Sequence, residues 1–113
     1  MQHIMNLHPL PFSQIRAGQK TVELRLLDEK RQACRVGDTL VFRERGTDNT
    51  LTARIIALHP FKSFAQLYRH LPLGKCGYTP EEAKNASPED MRRYYSPEEE
   101  AKWGVLGIEF CLI

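Results

Sequence analysis

The residues best equipped for chemistry lie in one short stretch, Gly18-Gln19-Lys20-Thr21-Val22-Glu23-Leu24-Arg25. From Thr21 to Leu26 polar and apolar side chains alternate, the period of a β-strand with one face in a core. Val22, Leu24 and Leu26 take the core face. Thr21, Glu23 and Arg25 take the other, about 7 Å apart in steps of two residues. Lys20, at the start of the strand, has the reach to join them. A hydroxyl, a carboxylate, an ammonium and a guanidinium on one face can grip a polar planar ligand that carries a phosphate. The carboxylate accepts from a base amino group, and Arg and Lys donate to phosphate or carbonyl oxygens. The plainer alternative is a solvated strand face with a surface Glu–Arg pair worth about 0–1 kcal/mol. In both cases Arg25 is expected to be exposed, so Arg25→Ala should leave the melting temperature nearly unchanged while weakening ligand binding.

Two other stretches add to this set. Lys30, Arg31 and Arg35 form a basic loop ahead of the turn Gly37-Asp38. Further on, Tyr94-Tyr95 precedes a helix start and Trp103-Gly104-Val105 opens the last strand. Aromatic side chains near cations are what base stacking requires, although the same residues also suit the edge of a core. The candidate nucleic-acid-binding residues are therefore Lys20, Thr21, Glu23, Arg25, Arg31, Arg35 and Tyr95.

These groups need a scaffold, and its elements are legible. A helix is expected from Pro9 to Ala17, with Phe12 and Ile15 on one face and Gly18 as its stop. Ser63 suits an N-cap. Phe64, Leu67, Tyr68 and Leu71 then form an apolar stripe that Pro72 ends. Strands are expected at Ile4–Leu7, Thr39–Arg43, Leu51–Leu58 and Val105–Ile113, the middle two joined as a hairpin through Gly46-Thr47-Asp48-Asn49. Thr79-Pro80-Glu81-Glu82, Ser87-Pro88-Glu89-Asp90 and Ser96-Pro97-Glu98-Glu99 share one chemistry. A hydroxyl caps, proline takes the first helical position and acids follow in the first turn. Three such starts predict short helices, with the acids serving as caps rather than as a carboxylate active site. Short strands with helices set between them predict a single α+β domain over residues 1–113, a closed or nearly closed mixed barrel decorated by short helices.

Composition narrows the function. The 113 residues suffice for one core. Hydrophobic residues at 42% and charged residues at 27% argue against disorder. A net charge of +2 permits nucleic acid but calls for a local patch or pocket rather than a generally basic surface. No apolar run reaches the roughly 20 residues a membrane span needs, and the first residues lack the pattern of a secretory leader, so a cytoplasmic protein is expected. Cys34, Cys76 and Cys111 form no pair, and the histidines show no ligand spacing. Neither a disulfide nor a metal site nor any other cofactor is expected.

The chain resembles the ASCH domain family, a PUA-like β-barrel. The resemblance rests on Gly18, Lys20, Glu23 and Arg25 (G-x-K-x-x-E-x-R), on Gly37-Asp38 before a strand, on Tyr95-x-x-x-Glu99, and on Gly104-Val105 leading into the last strand. It implies a cleft beside the barrel, floored by the Lys20–Arg25 strand and walled by the helical insert, that binds RNA or a modified nucleotide. One branch of the family resembles amidohydrolases that deacetylate N4-acetylcytidine, with a lysine-activated threonine as nucleophile and a glutamate from the insert. Lys20 and Arg25 match that branch. Its nucleophile position holds Glu23, Thr21 lies two residues earlier, and no acid of the insert can be matched. In an enzyme of this kind Lys20 and Glu23 would be the acid–base pair.

Overall fold

Hydrophobic alternation produces five strands, and helices fill the connections between them. The computed structural model describes residues 1–113. In chain order the elements are β1 Gln2–Leu7, α1 Pro9–Arg16, β2 Val22–Leu26, α2 Glu29–Gln32, β3 Thr39–Glu44, β4 Thr50–Phe61, α3 Phe64–His70, α4 Pro80–Ala83, α5 Pro97–Trp103 and β5 Val105–Leu112. Two 3₁₀ turns, Leu73–Cys76 and Pro88–Arg93, flank α4. The strands form one mixed sheet in the order β1-β3-β4-β5-β2. Only the β1–β3 pair is parallel. A register shift between Ile55 and Ala57 bends β4. The result is a curled half-barrel, with β1 and β2 as its two unjoined edges.

The open seam makes this the nearly closed, not the closed, form of the expected barrel. Across the seam the Arg25 side chain takes the place of strand pairing, its Nη2 donating to the Asn6 carbonyl at 3.2 Å. β4 also outruns its expected end, continuing through Pro60 to Phe61. Proline is tolerated there because β3 pairs only as far as Arg54, leaving the missing N–H on a free edge. In place of the expected basic loop stands the short helix α2, capped by the Asp28 carboxylate on the Arg31 N–H.

The inner face of the sheet is covered, and so is the outer face at β2, while Gln2, Ile4, Arg54 and Ile56 leave the outer face of β1 and of the first half of β4 exposed. Inside the curl Met5, Leu7, Phe12, Ile15, Leu40, Phe42, Ile55, Leu106, Ile108 and Phe110 pack together. Outside β2, Val22, Leu24 and Leu26 meet Phe64, Leu67, Cys76, Met91 and Val105 beneath α3 and the insert. The three Ser/Thr-Pro-acid segments all form capping boxes, with Glu82, Asp90 and Glu99 closing them. Gly104, at φ 72° and ψ −174°, carries the chain from α5 into β5 in a conformation open essentially to glycine alone. No helix is long and apolar enough to cross a membrane.

Candidate functional site

β2 pairs with β5 so that Glu23 faces Ile108 and Arg25 faces Leu106. Paired residues point to the same side of a sheet, which puts Glu23 and Arg25 on the inner face of the half-barrel, at its open seam. The helix end before them is held tightly. The Gln14 carbonyl accepts from the N–H groups of both Gln19 and Lys20, at 2.9 and 3.1 Å, and Gly18 turns the chain at φ 81°. Lys20 is thereby brought to the same side.

The three charged side chains close on one another. Lys20 Nζ lies 2.7 Å from Glu23 Oε1. Arg25 donates from Nε at 3.0 Å and from Nη2 at 2.9 Å to Glu23 Oε2. Glu23 is only 4% exposed. Burial by itself would raise its pKa, but the charges and hydrogen bonds of Lys20 and Arg25 outweigh burial and hold it below the ordinary carboxylate value. The same contact raises Arg25 against the opposing effect of its own burial. Glu23 is thus an ionised carboxylate with each oxygen accepting from a cation. Arg25 is not the exposed strand residue expected, because the insert and the end of β1 cover the face that alternation leaves polar.

These residues line a cavity of about 800 Å³. One wall comes from β1 and α1 through Asn6, His8 and Gln14, and the other from α3 and the insert through Tyr68, Tyr78, Asp90, Tyr94 and Tyr95. The insert wall is wired internally. Tyr78 donates to Asp90 Oδ2 at 2.8 Å, so Tyr68, 2.7 Å from the Tyr78 oxygen, is the donor to Tyr78. Burial and these contacts push the Tyr78 phenol well above its usual range, and burial raises Tyr68 and Tyr95. The Tyr95 ring stacks on Phe64 with centroids 5.9 Å apart. Cys76 also lines the cavity. Burial chiefly, with the Glu23 charge adding and Lys20 opposing, pushes its thiol up to about 11, so it stays protonated and unreactive.

Of the residues singled out from sequence, Lys20, Glu23, Arg25 and Tyr95 meet in this cavity, whereas Thr21, Arg31 and Arg35 do not line it. Thr21 precedes β2. Its N–H donates to the Lys75 carbonyl and its carbonyl accepts from Phe110, which knits it between the insert and β5. The helix α2 accounts for the two arginines. Arg31 lies against its N-cap Asp28 at 3.5 Å, and Arg35 Nη1 donates to the carbonyls of Gln32 and Cys34 at 2.8 and 3.0 Å. Gly37-Asp38 is a structural clasp. Asp38 contacts His3 Nε2 at 2.8 Å and accepts from the Arg35 N–H at 3.0 Å, which lowers its carboxyl to about 2 and ties β1 to the turn before β3. Gln14, Tyr68, Tyr78 and Asp90 were not anticipated. Tyr68 belonged to an apolar helix stripe and Asp90 to a capping box, and no local signal marks their second role. No group of three or more His, Cys, Asp or Glu side chains is placed to hold a metal ion.

The sequence profile of the ASCH domain matches residues 5–113, nearly the whole chain. The chain belongs to the ASCH domain family. Two solved structures are similar along the full length. The hypothetical protein PH0355, known from a crystal structure, is 28% identical, with a TM-score of 0.82 and complete coverage of both chains. Protein PF0455 from Pyrococcus furiosus, solved by NMR in solution, is 30% identical, with a TM-score of 0.69, and is matched over 98% of its length by all of this ASCH chain. No curated protein matches it.

Proposed function

We propose that this ASCH domain binds RNA or a nucleotide, taking one nucleoside unit into the seam cavity. The observation that carries this reading is the Lys20–Glu23–Arg25 cluster lining a tyrosine-walled cavity of about 800 Å³. That volume lies within the roughly 300–1,000 Å³ of ligand pockets. The half-exposed Tyr94 and the partly buried Tyr95 offer faces for stacking. Glu23 is held ionised as an acceptor for a base amino group, with Lys20 and Arg25 beside it as donors to a carbonyl or phosphate oxygen. Membership of the ASCH family supports the same class of ligand. The test is a thermal-shift and calorimetric screen against the common nucleosides, N4-acetylcytidine, their monophosphates and short RNAs, repeated with Glu23→Gln. Saturable binding that Glu23→Gln weakens at least tenfold is expected. Binding untouched by that substitution, or no binding by any probe, overturns the reading.

The second reading, hydrolysis of an acylated nucleoside such as N4-acetylcytidine, draws on the 2.7 Å contact between Lys20 and Glu23. A carboxylate held ionised by two cations is a weak general base, and Thr21, the hydroxyl two residues before the nucleophile position, does not line the cavity. Slow or no deacetylation of N4-acetylcytidine is therefore expected. Fast turnover abolished by Lys20→Ala would reverse the order of the two readings.

A further inference from the structure

The seam cavity does not end at its own rim. A second hollow, of about 310 Å³, adjoins it at the tip of the β3–β4 hairpin, and the two share Asn6 and Arg45. Its lining holds no hydrophobic residue. Asn6 is the joint between them. Its backbone carbonyl accepts from Arg25 at 3.2 Å, and its side-chain oxygen accepts from Arg43 Nε at 3.3 Å. Arg45 is fixed at the same place, its N–H donating to the Leu7 carbonyl at 2.8 Å.

The charges of this region divide into those already used and those left over. Lys20 and Arg25 both pair with the single carboxylate of Glu23, which leaves that cluster one net positive charge. Glu44 Oε1 accepts from Thr47 Oγ1 and Asn49 Nδ2, at 3.1 and 3.0 Å. On the insert wall, Glu82 and Asp90 close their own capping boxes. Arg43, Arg45 and, on the insert wall, Arg93 are exposed and pair with no carboxylate; the Arg93 guanidinium lies over the Tyr94 ring, 5.9 Å from its centroid, whereas nothing engages that of Arg45. Asp48, at the hairpin tip, is the one acid in the second hollow with its oxygens unengaged. Arg45, shared by both hollows, and Arg43, in the second, thus continue the cavity into a polar trough, where a forked donor matches phosphate geometry.

We propose that Arg43 and Arg45 form a phosphate subsite at the junction of the two hollows, holding the phosphate that adjoins the nucleoside in the seam cavity. This rests on the binding reading above and deepens it. The ligand is a phosphorylated nucleotide or a strand containing one, not a free nucleoside. A monophosphate and a phosphodiester supply the same oxygens to the subsite, and the assay separates them.

Isothermal titration compares cytidine, N4-acetylcytidine and adenosine with their 5′- and 3′-monophosphates and with hexacytidylate and hexaadenylate. Each is run on the native protein, on Arg43→Gln/Arg45→Gln and on Glu23→Gln. The readout is the affinity ratio of nucleotide to nucleoside. A ratio of ten or more that collapses toward one in the double arginine variant is the expected result. A gain complete with a monophosphate assigns the subsite to free nucleotides, and one that appears only in the hexamers assigns it to a strand. Both outcomes support the subsite. For the hexamers the slope of log affinity on log salt should fall by about 0.7 for each phosphate that the double variant no longer neutralises. Equal affinities for nucleoside, monophosphate and hexamer, or a gain that survives in the double variant, overturn the subsite and leave the cavity reading standing. Absence of binding by every probe overturns both.

Discussion

Glu23→Gln keeps the shape of the side chain and removes the charge that Lys20 and Arg25 share. In the native protein the carboxylate takes one contact from Lys20 and two hydrogen bonds from Arg25, all at 3.0 Å or less. In the variant, two largely covered cations face each other across an amide. Removing one partner of a buried pair costs about 3–5 kcal/mol. Lys20 and Arg25 keep 11% and 17% of their side chains exposed, so some hydration from the cavity offsets the loss, and the lower end, about 3 kcal/mol, is expected. In a domain of this size each kcal/mol corresponds to about 4 °C, so the melting temperature should fall by about 12 °C. The pH dependence has a definite sign. Glu23 has a lower pKa folded than unfolded, so its contribution is present above the ordinary value of 4.5 and is lost as pH falls through the folded pKa. The native protein should therefore lose stability below that value more steeply than Glu23→Gln does. Urea denaturation at neutral pH and across the acid range, on both proteins, measures both quantities. A loss under about 1 kcal/mol at neutral pH, or parallel acid slopes, would show that the cluster does not behave as a buried ion triad.

Arg25→Ala strands the Glu23 carboxylate with Lys20 alone and removes the bridge to Asn6, so a loss of about 2–3 kcal/mol in urea denaturation is expected, and an unchanged midpoint would restore the exposed-residue picture. Gly104→Ala places a Cβ 3.0 Å from the Phe61 carbonyl in a conformation that costs a side chain about 1–3 kcal/mol, and equilibrium denaturation should find at least that loss. The insert between Leu71 and Ser96 buries few side chains, Cys76 and Met91 among them, so its amides should exchange faster than those of Leu51–Leu58 and act as a lid over the cavity; equal protection in hydrogen exchange would exclude one.

Much of this architecture is local, and local physics made it readable. Three hydroxyl-proline-acid starts became three capping boxes because each satisfies its own free N–H groups within four residues. The stripe of α3 and the alternation of β2 came through because one covered face suffices to set a helical or strand period. Grouping Lys20, Glu23 and Arg25 needed only the two-residue repeat of a strand and the glycine stop before it. Alternation could not tell that the second face of β2 is also covered. That depends on the sheet order, which sets β1 and β2 as unjoined edges and folds an insert from the distant β4–β5 connection over the seam. Closure turned an exposed Glu–Arg face into a buried ion triad, while Arg31 and Arg35 stay outside the cavity, Arg31 against Asp28 and Arg35 on the carbonyls of Gln32 and Cys34. It also set Tyr68, Tyr78 and Asp90 across the cavity from Gln14, side chains up to 76 positions apart, between Gln14 and Asp90. No local pattern encodes such a meeting, because what holds it together is the packing of the insert on the sheet rather than any bond between neighbours in the chain.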